Sequence, residues 1–264
     1  MKLLNKLLAR TGSRAAQRLL GWATVAGLLA TAVLGLFVVP PDAHQGDVQR
    51  LMYVHVPAAW LAFFSFGVVF AASLAYLKTG QTRWDRVAVS SAEIGVQFCA
   101  LTIVLGSLWG RPVWGAWWTW DPRLTTTAVL LLIYVGYLSL RRVADGPSRR
   151  AHWSAVVGVV GFVDVPIVHM SVVWWRSLHQ EATVVRPGAP TMAGSMLLTL
   201  LLATVAFSLA YGYLMAVRTR VGRVEDRAAG TVMAQPMPRA RAPHPGPPPT
   251  ATASPSLTAG ADRG

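Results

Sequence analysis

One cysteine in 264 residues removes two possibilities at once. Cys99 cannot close an internal disulfide, and no Cys-x-x-Cys-His segment is present to attach haem covalently, so the chain is not itself a c-type cytochrome. Charge is scarce too: acidic and basic residues make up 13% of the chain, where a soluble domain carries about a quarter. Most of the chain is therefore expected to sit in a solvent other than water. No Gly-x-x-x-x-Gly-Lys-Ser/Thr loop occurs, which excludes nucleotide hydrolysis on such a loop. Acids are the rarest charges, 11 against 24 Lys and Arg, for a net charge of +13. In a soluble protein that excess would point to nucleic acid. Here the placement of the cations excludes nucleic acid as the partner.

What the chain has in quantity is hydrophobic residue, 53% of it. Six apolar runs, near 19–39, 52–77, 87–109, 124–140, 153–173 and 193–217, approach the length of about 20 residues that a helix needs to cross a bilayer. The fourth is the shortest and opens on Thr125, Thr126 and Thr127, whose hydroxyls can bond back to their own helix. Nineteen Lys and Arg flank the runs on one side and five (Arg50, Arg111, Arg123, Arg176, Arg186) on the other. Basic residues stay in the cytoplasm and meet anionic lipid there, which predicts both termini inside. The fold class expected is therefore an all-α integral membrane protein with six transmembrane helices, N-in and C-in. Residues 1–18 form a basic cytoplasmic N-terminus, 19–217 the membrane domain, and 218–264 a Pro/Ala-rich cytoplasmic tail expected to be disordered, from about 228 most of all. The first run exceeds a signal-peptide core and is followed by Pro40-Pro41, so it reads as a retained anchor. No repeat argues for an inverted-repeat transporter.

The side predicted to face outward holds the unusual residues. Segment 109–123 contains Trp109, Trp114, Trp117, Trp118 and Trp120, and Trp174-Trp175 follow the fifth run, together seven of eleven tryptophans. An interfacial aromatic belt accounts for Trp22, Trp60, Trp84 and Trp153. It accounts poorly for five indoles in twelve residues, broken by Gly110, Pro112, Gly115 and Pro122. The better reading is an irregular aromatic shelf for a broad planar ligand, since indole faces give large apolar contact at low entropic cost. His55 lies near the outer end of the second run and His179 just past the fifth. Neutral imidazole is a common axial ligand of haem iron, and the outer arginines, Arg123 among them, suit its propionates. Asp121 either accepts from an imidazole or indole N–H or caps the fourth helix, capping being the safer reading. His169 competes with His179 as a ligand. If the fifth helix ran on unbroken, it would lie roughly 15 Å deeper. Two acids fall inside apolar runs, Glu93 and Asp164, and are expected to pair with each other or with Tyr or Ser neighbours.

Several of these segments, in order, resemble one family. Trp109-Gly110, Trp114-Gly115 and the run Trp117-Trp118-Thr119-Trp120-Asp121-Pro122-Arg123-Leu124-Thr125 resemble the "WWD" signature of membrane haem-handling proteins. His55-Val56-Pro57-Ala58-Ala59, Asp164-Val165-Pro166-Ile167-Val168-His169 and Trp174-Trp175 with Leu178-His179-Gln180 resemble the flanking blocks of the cytochrome c biogenesis haem exporter protein C (CcmC) family. The likeness spans roughly 45–217 and leaves the N-terminus and tail uncovered. It implies haem held non-covalently at the outer face, with His55 and His179 as axial ligands of the iron. It also implies that Trp109, Trp114, Trp117, Trp118, Trp120, Asp121 and Arg123 belong to the cofactor site. By the same likeness the site faces the periplasm, from the inner membrane of a bacterium, and the partners are a membrane-anchored haem chaperone, ATP-binding-cassette subunits and a small single-helix membrane protein. One departure is Glu181, where the family pattern has a small residue or proline. The expected role is that of a carrier for c-type cytochrome maturation, with no catalytic motif. The rival is a b-type haem oxidoreductase passing electrons across the membrane. That needs histidine pairs at two depths, and the inner half of the bundle has none. A solute transporter would need paired broken helices at the midplane.

Overall fold

The apolar runs fold as helices because a backbone in hydrocarbon must satisfy every N–H and C=O internally. In the computed structural model, which describes residues 14–180, 183–184 and 188–234, every regular element is helical. Helix α1 is Arg14–Val33, extended by a π-helical turn Leu34–Val38. A 3-10 turn Asp47–Leu51 leads into α2, Met52–Thr79. Then come α3, Thr82–Trp114, α4, Pro122–Val143, α5, Pro147–Gly161, α6, Asp164–Trp174, and α7, Gly194–Ala234. Among the described residues, six spans are long and apolar enough to cross a membrane, the fifth being α5 and α6 together, Pro147–Trp174. Two compact units divide the chain, Met1–Glu225 and Asp226–Gly264. The packed spans and the cavity described below belong to the first.

Three boundaries differ from expectation. Helix α3 runs on through Gly110 and Pro112 to Trp114, so the first part of the aromatic segment is helical. Pro112 forgoes the bond its own N–H would make to the Leu108 carbonyl, and the helix continues past it for two residues. The stop comes at Gly115, whose φ of 80° is left-handed and favours glycine; its N–H donates to the Arg111 carbonyl at 3.0 Å. The fifth span is not one helix but breaks at Phe162-Val163. Pro166 is the cause, because its ring cannot tolerate the helical carbonyl four residues back, at Phe162. The helix of the sixth span, α7, does not end at 217 but continues to Ala234, with Arg218 paired to Glu225 two turns further on at 3.1 Å. The rest of the expected disordered tail, 235–264, lies outside the described residues.

The core lies between α2, α3, α4 and α5. Phe66 stacks on Tyr134 with centroids 3.7 Å apart, and both are fully buried. Gly95 lets α3 approach α2 closely: a Cβ there would sit 2.6 Å from the Phe66 ring. Thr126 and Thr127 do bond back along α4, to the Pro122 and Arg123 carbonyls. The intramembrane acids behave differently from expectation. Among the described residues Glu93 pairs with neither Asp164 nor a hydroxyl but accepts the Nε–H and an Nη2–H of Arg218, which reaches back from α7. Asp164 Oδ2 is buried without a hydrogen-bond partner. On the other charged face, Arg141 holds Asp85 by two bonds of 2.6 and 2.8 Å, the fork geometry in which arginine binds carboxylate most strongly.

Candidate functional site

The helical extension of α3 creates the site. Residues one face apart on a helix recur at i, i+3, i+4, i+7 and i+8, and Gly106, Trp109, Gly110, Val113 and Trp114 follow that spacing into one cavity of about 470 Å³. Such a volume is typical of small-molecule sites, which run to roughly 300–1,000 Å³. The opposite wall comes from Met52, His55 and Val56 of α2, with Arg123 of α4, His169 of α6 and Leu200 of α7 completing the ring. The glycines leave room: a Cβ on Gly106 would sit 3.1 Å from His55 Cε1. Trp109 is held by its indole N–H, which donates to Gln45 Oε1 at 2.8 Å.

Each of the two expected ligands stands against one of these indoles. His55 meets Trp109 edge-on, centroids 5.7 Å apart, and His179 meets Trp114 at 4.7 Å. His55 Nδ1 is buried and makes no well-formed hydrogen bond, the Thr102 backbone being its polar neighbour. A proton on Nδ1 leaves Nε2 with a free lone pair, the form of imidazole that ligates metal. For His179 the tautomer is set by Asp121, whose Oδ1 lies 3.3 Å from Nδ1. A carboxylate behind an imidazole raises its basicity and fixes its ring, the usual support of a metal-binding histidine.

Asp121 is therefore both things the sequence offered as alternatives. It caps α4 through the Arg123 N–H at 2.9 Å, it also accepts the Leu178 N–H at 2.7 Å, and it faces His179. Burial works against its charge, but the Leu178 amide, the Ser177 hydroxyl, the Arg123 amide and His179 outweigh that and hold the carboxyl below its ordinary range. For His179 burial dominates, with Arg123 adding to it, against the pull of Asp121, so the imidazole lies below its ordinary value and is neutral at neutral pH.

The remaining candidates separate. Arg123 borders the cavity, donates Nη2 to the His169 carbonyl at 3.0 Å, and keeps a buried Nε without a partner. That orphaned donor suits an anionic ligand group. Arg50 is occupied elsewhere, by Asp47 and by the Gly35 and Val39 carbonyls at the end of α1. Arg111 bonds Gly115, and Arg186 lies outside the described residues, as does Glu181. Trp117, Trp118 and Trp120 do not border the cavity; Trp117 is 58% and Trp120 83% exposed. The structure thus brings together His55, His179, Trp109, Trp114 and Arg123, with Asp121 behind His179, and sets the other three indoles apart. The chain turns after Trp174, so His169 and His179 reach the same cavity rather than lying a long helical step apart. His169, the competitor to His179 in the sequence, does border the cavity. Gly106, Gly110 and Val113 were not singled out as cavity residues, although their i, i+3, i+4 spacing with the tryptophans was there to find.

With this geometry in place, comparison with known proteins is decisive. Residues 5–234 match the sequence profile of the family described as "Heme exporter protein C". The chain belongs to this family. A heme exporter protein C of Bradyrhizobium diazoefficiens is 40% identical, over 83% of this chain and 85% of that protein. Those of Haemophilus influenzae and Rhodobacter capsulatus are each 34% identical, over 74% and 77% of this chain and 80% and 86% of their own lengths. The family match reaches beyond the 45–217 of the sequence resemblance and takes in most of the basic N-terminus and the extension of α7.

Proposed function

We propose that this protein binds haem b non-covalently at the periplasmic face of the bacterial inner membrane and delivers it to a membrane-anchored haem chaperone for c-type cytochrome maturation. Its relatives are named heme exporters, and its family, six spans and histidine-lined cavity support the same reading here. The observation that carries it is the cavity itself. Two imidazoles from different segments border it, each against an indole of α3, one backed by a buried carboxylate and both near an arginine with an unpaired N–H. His55 and His179 supply the two neutral nitrogens for the iron, Trp109 and Trp114 the aromatic wall, and Arg123 the cation for a propionate. Asp121 holds His179 in the ligating tautomer. Trp117, Trp118 and Trp120, set outside the cavity, stand at the rim that an acceptor would approach. The protein acts as a carrier beside ATP-binding-cassette subunits and a small single-helix partner, an assignment that rests on the family likeness.

The test is an absorption spectrum of the purified full chain with a haem count per polypeptide. The expected result is a low-spin, bis-imidazole spectrum at one haem per chain. Two haems per chain would favour an electron-conducting b-type cytochrome, and no haem at all would end the reading.

A further inference from the structure

His169 has a position that the two-ligand account does not use. It lies in a membrane span, on α6, it borders the cavity, and it is exposed. Its carbonyl anchors Arg123, but its imidazole makes no hydrogen bond among the described residues. A polar ring at membrane depth costs free energy unless something binds it.

The walls around it are unequal. Beneath the cavity the bundle is tightly packed: Leu61, Ala62, Phe66, Leu130 and Tyr134 are at most 1% exposed, so a ligand of haem size has no path along the axis. Toward α7, Met52 and Tyr53 pack with Met196 and Leu200, and lower down the Trp60 indole bonds Ser208. On the outer side Leu178, Gln180, Thr183 and Val184 border the cavity from the chain after α6. The side between α2 and α6 is different. Phe162 stacks on Phe70 at 4.7 Å; the main contacts of α6 are otherwise with α4, and those of α2 with α3 and α5. Val56 of α2, 37% exposed, and His169 of α6, also exposed, both border the cavity.

We propose that haem enters this cavity sideways from the outer half of the bilayer, between α2 and α6, and that His169 is its entry contact. The imidazole of His169 holds the iron at the mouth; that iron–nitrogen bond then breaks as the bond to His179 forms, one nitrogen donor replacing another with no electron exchanged. His179 is the better final ligand because Asp121 stands behind it, whereas no carboxylate among the described residues backs His169. The proposal rests on the haem-binding function above and adds its route.

The experiment offers hemin in phosphatidylcholine vesicles to the haem-free full chain in proteoliposomes and follows the low-spin absorption by stopped flow. His169→Ala should slow uptake about tenfold, the low end of the loss when a supporting contact at a metal site is removed, while reaching the same bis-imidazole end-point. Val56→Trp, which places an indole in the mouth without touching a ligand, should slow uptake as well. Native rates in both variants would overturn the route. An altered end-point in His169→Ala that added imidazole restores would make His169 a resident ligand and overturn its role as an entry contact. If the unsubstituted chain takes up no haem, the function itself fails, and the route with it.

Discussion

At the scale of single residues the site turns on one carboxylate. Asp121 carries a helix cap, a loop N–H and an imidazole on two oxygens, which explains why it is 6% exposed and yet held ionised. Asp121→Asn keeps the size and loses the charge behind His179. Haem affinity should fall by roughly 10–100-fold, the usual loss of such support, as read by haem transfer to apomyoglobin. An unchanged affinity would reduce Asp121 to a helix cap. The pH profile has a definite sign. Protons compete with iron for a neutral imidazole, and His179 lies below the ordinary histidine value because of burial. Its ligation should therefore persist below about pH 6.5, the free-imidazole value. The sequence offered Asp121 as cap or partner and could not choose, because the His179 loop that makes it both arrives from fifty-eight positions away.

The elements decide which tryptophans matter. Sequence composition marks five indoles in one segment as equivalent, but α3 splits them: Trp109 and Trp114 share a helical face with Gly106 and Gly110, and the rest follow the Gly115 turn. Replacing Trp109 and Trp114 by Leu should lower haem retention through gel filtration far more than replacing Trp117 and Trp120. The reverse order would show that the shelf, not the helix face, holds the ring. Reading Gly110 and Pro112 as breakers hid this, since α3 continues through both to Trp114. The break in the fifth span had a visible cause in Pro166; beyond it, on α6, Val168 is buried in the core and His169, the next residue, borders the cavity. The partner of Glu93 was not legible, because Arg218 belongs to a helix that outlasts its apolar run.

For the whole molecule, six spans were readable from hydropathy because the bilayer enforces helices and their length. Orientation rests on the basic asymmetry, nineteen against five. Cysteine at Thr119 should react with an impermeant maleimide from the periplasmic side and cysteine at Ser148 should not, Cys99 being buried and silent. Labelling of Ser148→Cys from outside would turn the site toward the cytoplasm. The cavity itself was only half legible: His55 and His179 stand out as outer histidines, but their meeting needs α2, α3 and the chain after α6 to converge. That convergence is the central claim, and ligand replacement tests it most directly. His55→Ala and His179→Ala should each lose low-spin absorption and recover it when imidazole fills the vacant position. A normal low-spin spectrum in either variant without imidazole would contradict the assignment of that histidine to the iron.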